Sequence, residues 1–206
     1  MIDLSAREGA AMRSRTLAFA FSLLLLLAAA ADAKSYSADR FDARIQVLPG
    51  GDVHVIETVV FRFDGSFSEV FRRIPRSRTD GVEVLRASMD GTSFASGSGP
   101  GHYDLSNSKG LRVRWHFRAT GTSVHTFELT YRARGVVQQT DQGDLFEWQA
   151  LPSEHDYRIA SSTIDIDLPA APAAAPRVET RRTASARIGR DDEHTLGLTD
   201  FRRCVR

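Results

Sequence analysis

From residue 41 to residue 168 apolar and polar side chains alternate almost without interruption, and this period of two restricts the chain more than any other feature. Successive side chains of a strand point to opposite faces, so the alternation specifies β-strands with one buried face. Helical spacing is absent over any window long enough to matter. In Phe41 to Leu48, Phe41, Ala43, Ile45 and Val47 share one face, with Asp42, Arg44 and Gln46 opposite. Pro49, Gly50, Gly51 and Asp52 supply a turn, and a long strand returns from Val53 to Phe63. Asp64 with Gly65, and Asp90 with Gly91 after VEVLRASM, are further turn signals.

LRVRWHFRA, residues 111 to 119, and VHTFELTYRA, residues 124 to 133, read as a hairpin. Leu111, Val113, Trp115 and Phe117 share a face, as do Phe127, Leu129 and Tyr131. A three-residue loop, Gly121 to Ser123, pairs Phe117 with Phe127 and Trp115 with Leu129, and sets His116 opposite Glu128 on the outer face. Asp144 to Ala150 and Ile159 to Leu168 add two more strands, whereas TSFASGSGPGH, residues 92 to 102, reads as a Gly/Ser-rich surface loop. The fold class that follows is all-β, an antiparallel two-sheet sandwich of about seven or more strands.

The ends differ in composition. Arg13 and Arg15 precede an apolar run of 15 residues, Leu17 to Ala31, followed by the small-x-small triplet Ala31, Asp32, Ala33. This is the pattern of a secretory signal peptide, residues 1–33, cleaved after Ala33 and with translation starting at Met12. An uncleaved anchor would need roughly 20 apolar residues. The exported domain then spans 34–169. Beyond it, 170–206 is an Ala/Pro linker and an Arg-rich tail, with eight arginines against five acidic residues from 177 onward, for which disorder is expected over a docked strand. The single cysteine, Cys204, excludes an internal disulfide and reads as an exposed thiol rather than an intermolecular bridge. A net charge of +1 gives no reason to expect nucleic acid as a partner.

Motifs of familiar chemistry are missing: the sequence has no GxSxG, GxxxxGK, HExxH or CxxC. No two of its six histidines stand at a spacing that suggests a local metal site, so no metal or cofactor is expected. Ser153, Glu154, His155 and Asp156 form the densest titratable cluster on a predicted loop. They are the place for a loop-built active site near His155 if there is one, against the plainer reading of a solvated turn. Arg112, Arg114, His116 and Arg118 alternate with core residues and form a basic row, suited to anionic polymers or simply to solvation.

One residue breaks the alternation. In HVIETVVFRFDGSFSEVFRRIP, residues 54 to 75, Glu57 falls on the inward face with Val53, Val55, Val59, Phe61 and Phe63. A lone buried carboxylate is costly, so a partner is required. Arg72 and Arg73, set between Phe71 and Ile74-Pro75, are the nearest cations in sequence, and one of them should pair with Glu57. The functional alternative is a ligand pocket around Glu57 and Arg73.

GGD followed by VHVIETVVFRF, then FDGSFSEVFRRIP, FELTYRARGVV and LFEWQALPSEHDYRIASSTIDIDLP, resembles, over residues 35 to 169, a bacterial family of predicted membrane proteins, domain of unknown function 2207. The resemblance implies an exported, β-rich N-terminal domain, usually tethered by transmembrane helices further along the chain, with no established activity. No such helix follows PAAPAAAP here, so the expectation divides between a free-standing version and a piece of a larger membrane protein. The function expected on these grounds is a non-enzymatic binding, sensory or structural module of the cell envelope. Its partner would be an envelope protein or a glycan, with membrane association through segments absent from this chain.

Overall fold

A computed structural model describes residues 34–107, 110–141, 143–152, 155–169, 187–190 and 195–199. The described residues form β1 (Ser35–Val47), β2 (Val53–Asp64), β3 (Phe67–Ile74), β4 (Gly81–Met89), β5 (Thr92–Ser96), β6 (His102–Ser106) and β7 (Leu111–Thr120). They continue with β8 (Ser123–Arg134), β9 (Val137–Thr140), β10 (Gly143–Phe146), β11 (Ser162–Asp167), β12 (Arg187–Arg190) and β13 (Thr195–Thr199). The all-β expectation holds. The signal peptide, most of the Ala/Pro linker and Cys204 lie outside the described residues.

Eleven of these strands form one mixed sheet in the order β12-β13-β11-β1-β2-β8-β4-β5-β6-β7-β3, and β9 and β10 form a separate ribbon. This corrects the purely antiparallel expectation, because β1 pairs parallel with β11 and β5 pairs parallel with β6. The strands expected in two sheets are joined through β5, which is hydrogen-bonded to β4 on one side and to β6 on the other. Part of the expected Gly/Ser loop is therefore strand. Its small residues, Ser93, Ala95 and Ser96, fit the position where the sheet passes from one neighbour to the other.

The expected hairpin of β7 with β8 is not formed. β8 lies between β2 and β4, while β7 lies between β6 and β3. The inward faces were nevertheless read correctly, since Val113, Trp115, Phe117, Phe127, Leu129 and Tyr131 are all buried. Two apolar faces can meet side by side or front to front, and period two does not distinguish these. Here they meet front to front: the Phe127 ring lies 6.0 Å from Trp115 and 5.6 Å from Phe117, with Phe63 also 6.2 Å from Phe117. His116 accordingly faces Glu69 and His102 across its two neighbours rather than Glu128.

Two bulges explain departures from strict alternation. In β1 the register shifts between Ala38 and Arg40, so Ala38 and Phe41 both turn inward and the strand begins six residues earlier than its alternation from Phe41 suggested. In β4 a shift between Val84 and Arg86 leaves Leu85 exposed. The turn predicted at Asp90 and Gly91 is present, both residues having positive φ, and it closes a hairpin of β4 with β5, a strand that the sequence does not predict. Of the strand expected over 144–150 only the start is strand, paired with β9, and Ile159 to Leu168 narrows to β11 plus an isolated bridge from Ile159 to Ala38. In the expected disordered tail, β13 pairs with β11 and β12 with β13. Among the described residues no helix is long and apolar enough to cross a membrane.

The entry to β7 offers a test of this path. Gly110 has φ +112°, and a Cβ there would lie 2.8 Å from the Ile74 carbonyl oxygen. Gly110→Ala should lower stability by about 1–3 kcal/mol, read as a shifted denaturant midpoint at constant m. Gly121→Ala, where a Cβ meets nothing within 4 Å, should stay within about 0.5 kcal/mol. Equal midpoints for the two variants would contradict this geometry.

Candidate functional site

Glu57 sits in the middle of β2, flanked in register by Ala43 of β1 and Leu129 of β8, and is 1% exposed. The sequence placed it inward, and its partner is Arg72. On β3, Val70, Arg72 and Ile74 are buried while Phe71 is 46% exposed, so alternation turns Arg72 toward Glu57 and Arg73 the other way. Arg72 Nε donates to Glu57 Oε2 at 2.7 Å and Nη2 donates to Oε1 at 2.8 Å, a bidentate pair.

The rest of the guanidinium is also engaged. Nη1 donates to the Arg73 carbonyl at 2.6 Å and Nη2 to the Ala150 carbonyl at 3.2 Å, and the group lies 5.6 Å from the Phe41 ring centroid. The Tyr131 hydroxyl donates to Glu57 Oε1 at 2.8 Å. The alternation places Tyr131 on the buried face of β8, two residues from Leu129, the position from which its hydroxyl reaches Glu57. Burial pulls the Arg72 pKa down, but the charge and hydrogen bonds of Glu57 more than offset this and leave it above its ordinary value. Burial, then the Glu57 charge, push the Tyr131 phenol well up, with Arg72 opposing. Tyr157, at the rim, is raised to about 12, mainly by burial.

A crevice of about 20 Å³ adjoins the pair, bounded by Phe41, Val70, Trp115 and Tyr157. It has room for about one water. Ordinary ligand pockets run to several hundred Å³. The polar groups at its base bond to one another and link β2, β3 and β8. Of the two arginines expected near Glu57, it is Arg72 that pairs with it and lines the crevice.

The basic row has a different setting. Arg112, Arg114 and His116 do lie along one outer face, but carboxylates from both neighbouring strands meet Arg114 and His116. Asp104 of β6 lies 3.2 Å from Arg114 Nε and accepts from His116 Nε2 at 2.5 Å, while Glu69 of β3 lies 3.7 Å from Arg114. Arg112 stacks on Phe71 at 3.9 Å, and Arg118 is exposed. The hydrogen bond from His116, with those of Arg114, holds the Asp104 carboxyl below its ordinary 3.8 although burial opposes this. Of the loop cluster, Ser153 and Glu154 lie outside the described residues. His155 is tied locally, its Nδ1 2.5 Å from the Tyr157 carbonyl and its ring 4.8 Å from the Tyr157 ring, and Asp156 accepts from the Tyr36 hydroxyl at 2.8 Å. No group of three or more His, Cys, Asp or Glu able to hold a metal occurs among the described residues.

A family model described as predicted membrane protein (DUF2207) N-terminal domain matches residues 37–196. Among curated proteins none matches in sequence. Among solved structures the chain is similar to the M1 zinc metallopeptidase from Deinococcus radiodurans, at 14% identity and TM-score 0.46, covering 80% of this chain and 38% of that one. A point mutant of a two-domain M1 zinc metallopeptidase bound to L-arginine gives 13% identity and TM-score 0.46, over 82% of this chain and 39% of that one. The chain thus spans well under half the length of these proteins.

Two stability measurements follow. Glu57→Ala leaves Arg72 buried without its counter-ion and should cost roughly 3–5 kcal/mol, whereas Tyr131→Phe, which removes one hydrogen bond to a charged group, should cost about 1.5–3 kcal/mol. A Glu57→Ala loss under about 1 kcal/mol would show a pair behaving as if exposed to solvent. For Asp104, whose folded pKa is depressed, the stabilising contribution is full above the unfolded value and is lost as pH falls through the folded one. Melting temperatures between about pH 2 and 5 should therefore decline less steeply for Asp104→Asn than for the parent. Parallel pH profiles would refute the linkage.

Proposed function

Since the chain belongs to the family of the predicted membrane protein (DUF2207) N-terminal domain, we propose that it is an exported β-sandwich module of the cell envelope that binds or senses a protein or glycan partner and has no catalysis of its own. The observation that carries this reading is the state of the buried charges. Both Glu57 oxygens and three nitrogens of Arg72 are engaged with Tyr131, with backbone carbonyls and with each other, which favours a structural role for the most polar interior point of the domain.

The sandwich part of the proposal draws support from the front-to-front ring contacts of Trp115, Phe117 and Phe63 with the β2–β8 side. Export draws support from the basic, apolar and small-x-small pattern of residues 1–33. The competing reading, a loop-built enzyme near His155, finds that imidazole held by the Tyr157 carbonyl and stacked on its ring.

Replacing the pair by apolar side chains of similar size, Glu57→Leu with Arg72→Met, removes the charges without stranding either one, which is often neutral or stabilising. The double variant should remain folded and keep the cross-linked partner pattern of the parent in envelope preparations. A folded double variant that loses its partners or its cellular activity would make the pair a functional site and sink this reading. Sequencing of the mature N-terminus should begin at Lys34; an intact precursor in the cytoplasm would overturn export.

A further inference from the structure

β3 ends the described sheet, hydrogen-bonded to β7 on one side only. An open edge is a template for another strand, and this one carries Phe71, 46% exposed, at its centre, with the Arg112 guanidinium stacked 3.9 Å from its ring centroid. Glu69 and Arg73 flank Phe71 at two residues on either side and share its outer face.

We propose that this edge pairs with the same edge of a second copy of the chain, antiparallel, about a two-fold axis through Phe71. In that register Phe71 lies against Phe71 of the partner subunit, and Glu69 lies against Arg73 of the partner subunit. By symmetry the charge contact occurs twice. Facing aromatics and facing opposite charges are both favourable cross-strand pairs.

The other registers that keep the same faces together are worse. Centring on Glu69 or on Arg73 sets like charges opposite each other, and centring on Val70 or Arg72 sets Phe71 against a charge. The strand is therefore self-complementary in one alignment. Its charges, together with the bulge between Phe67 and Glu69, discourage indiscriminate pairing. Glu69 now lies 3.7 Å from Arg114 and 3.9 Å from His116, contacts long enough to coexist with a new one across the edge. The inward Arg72 is already satisfied by Glu57 and is not left for an incoming strand to bury unpaired.

Sedimentation of the purified full chain should show a concentration-dependent dimer. Arg73→Glu should weaken it about tenfold, since two symmetric contacts become repulsive, and Glu69→Arg combined with Arg73→Glu should restore it. All three positions are on the outer face, so circular dichroism should stay unchanged. In a Cys204→Ser background, Phe71→Cys should give a disulfide-linked dimer on mild oxidation. Glu69→Cys alone should not, because its two copies would lie roughly 13 Å apart along the strands, whereas mixing Glu69→Cys with Arg73→Cys chains should. A parent that stays monomeric at every soluble concentration, a double charge swap no better than the single one, or equal cross-linking at 69 and 71 would overturn the proposal.

Discussion

The ion pair between Glu57 and Arg72 joins two strands that share no backbone hydrogen bond. β2 and β3 are consecutive in the chain, yet β3 is the far end of the sheet, reached from β2 only through β8, β4, β5, β6 and β7. Bidentate contact at 2.7 and 2.8 Å across the interior therefore closes a circuit that the sheet leaves open. Tyr131 ties β8 to the same point, and the Ala150 carbonyl brings in the segment before β11. Four parts of the fold converge on one carboxylate and one guanidinium. A buried ion pair adds little net stability over an apolar one, but breaking it is costly. In this chain it ties β3 to β2 at one defined point.

Aromatic packing does the complementary work. Phe63 contacts Phe61, Phe67, Phe117 and Phe127, so one ring touches side chains from β2, β3, β7 and β8. Apolar contact of this kind is strong but weakly directional. The polar contacts of Glu57, Arg72 and Tyr131 supply the direction. Together they account for a core without disulfides, as a chain with a single cysteine requires.

The chain belongs to the predicted membrane protein (DUF2207) N-terminal domain family. Its outer face is not simply basic. Glu69 and Asp104 interleave with Arg114 and His116, and the freer features are Arg118 at one end and the Phe71–Arg112 stack beside an open edge.

Alternation in the sequence was enough to identify the long strands β2, β7 and β8 and to decide which side of each is buried, because side-chain direction in a strand is a local property. That is why Glu57 could be seen to need a cation, and why Trp115, Phe127 and Tyr131 were placed inward. The choice between Arg72 and Arg73 was within reach too, since Val70, Ile74 and the exposed Phe71 fix the phase of β3, although the bulge after Phe67 obscures it. Strand partnership was not legible. β7 and β8 follow one another with only Gly121 and Thr122 between them, and the same buried faces satisfy a side-by-side hairpin as well as the front-to-front packing that is found. Burial specifies a face, whereas partnership depends on which distant strands compete for the same backbone hydrogen bonds. The sequence determined the faces and the need for a buried counter-ion; the tertiary structure alone decided the neighbours, because that competition is settled by the whole sheet at once.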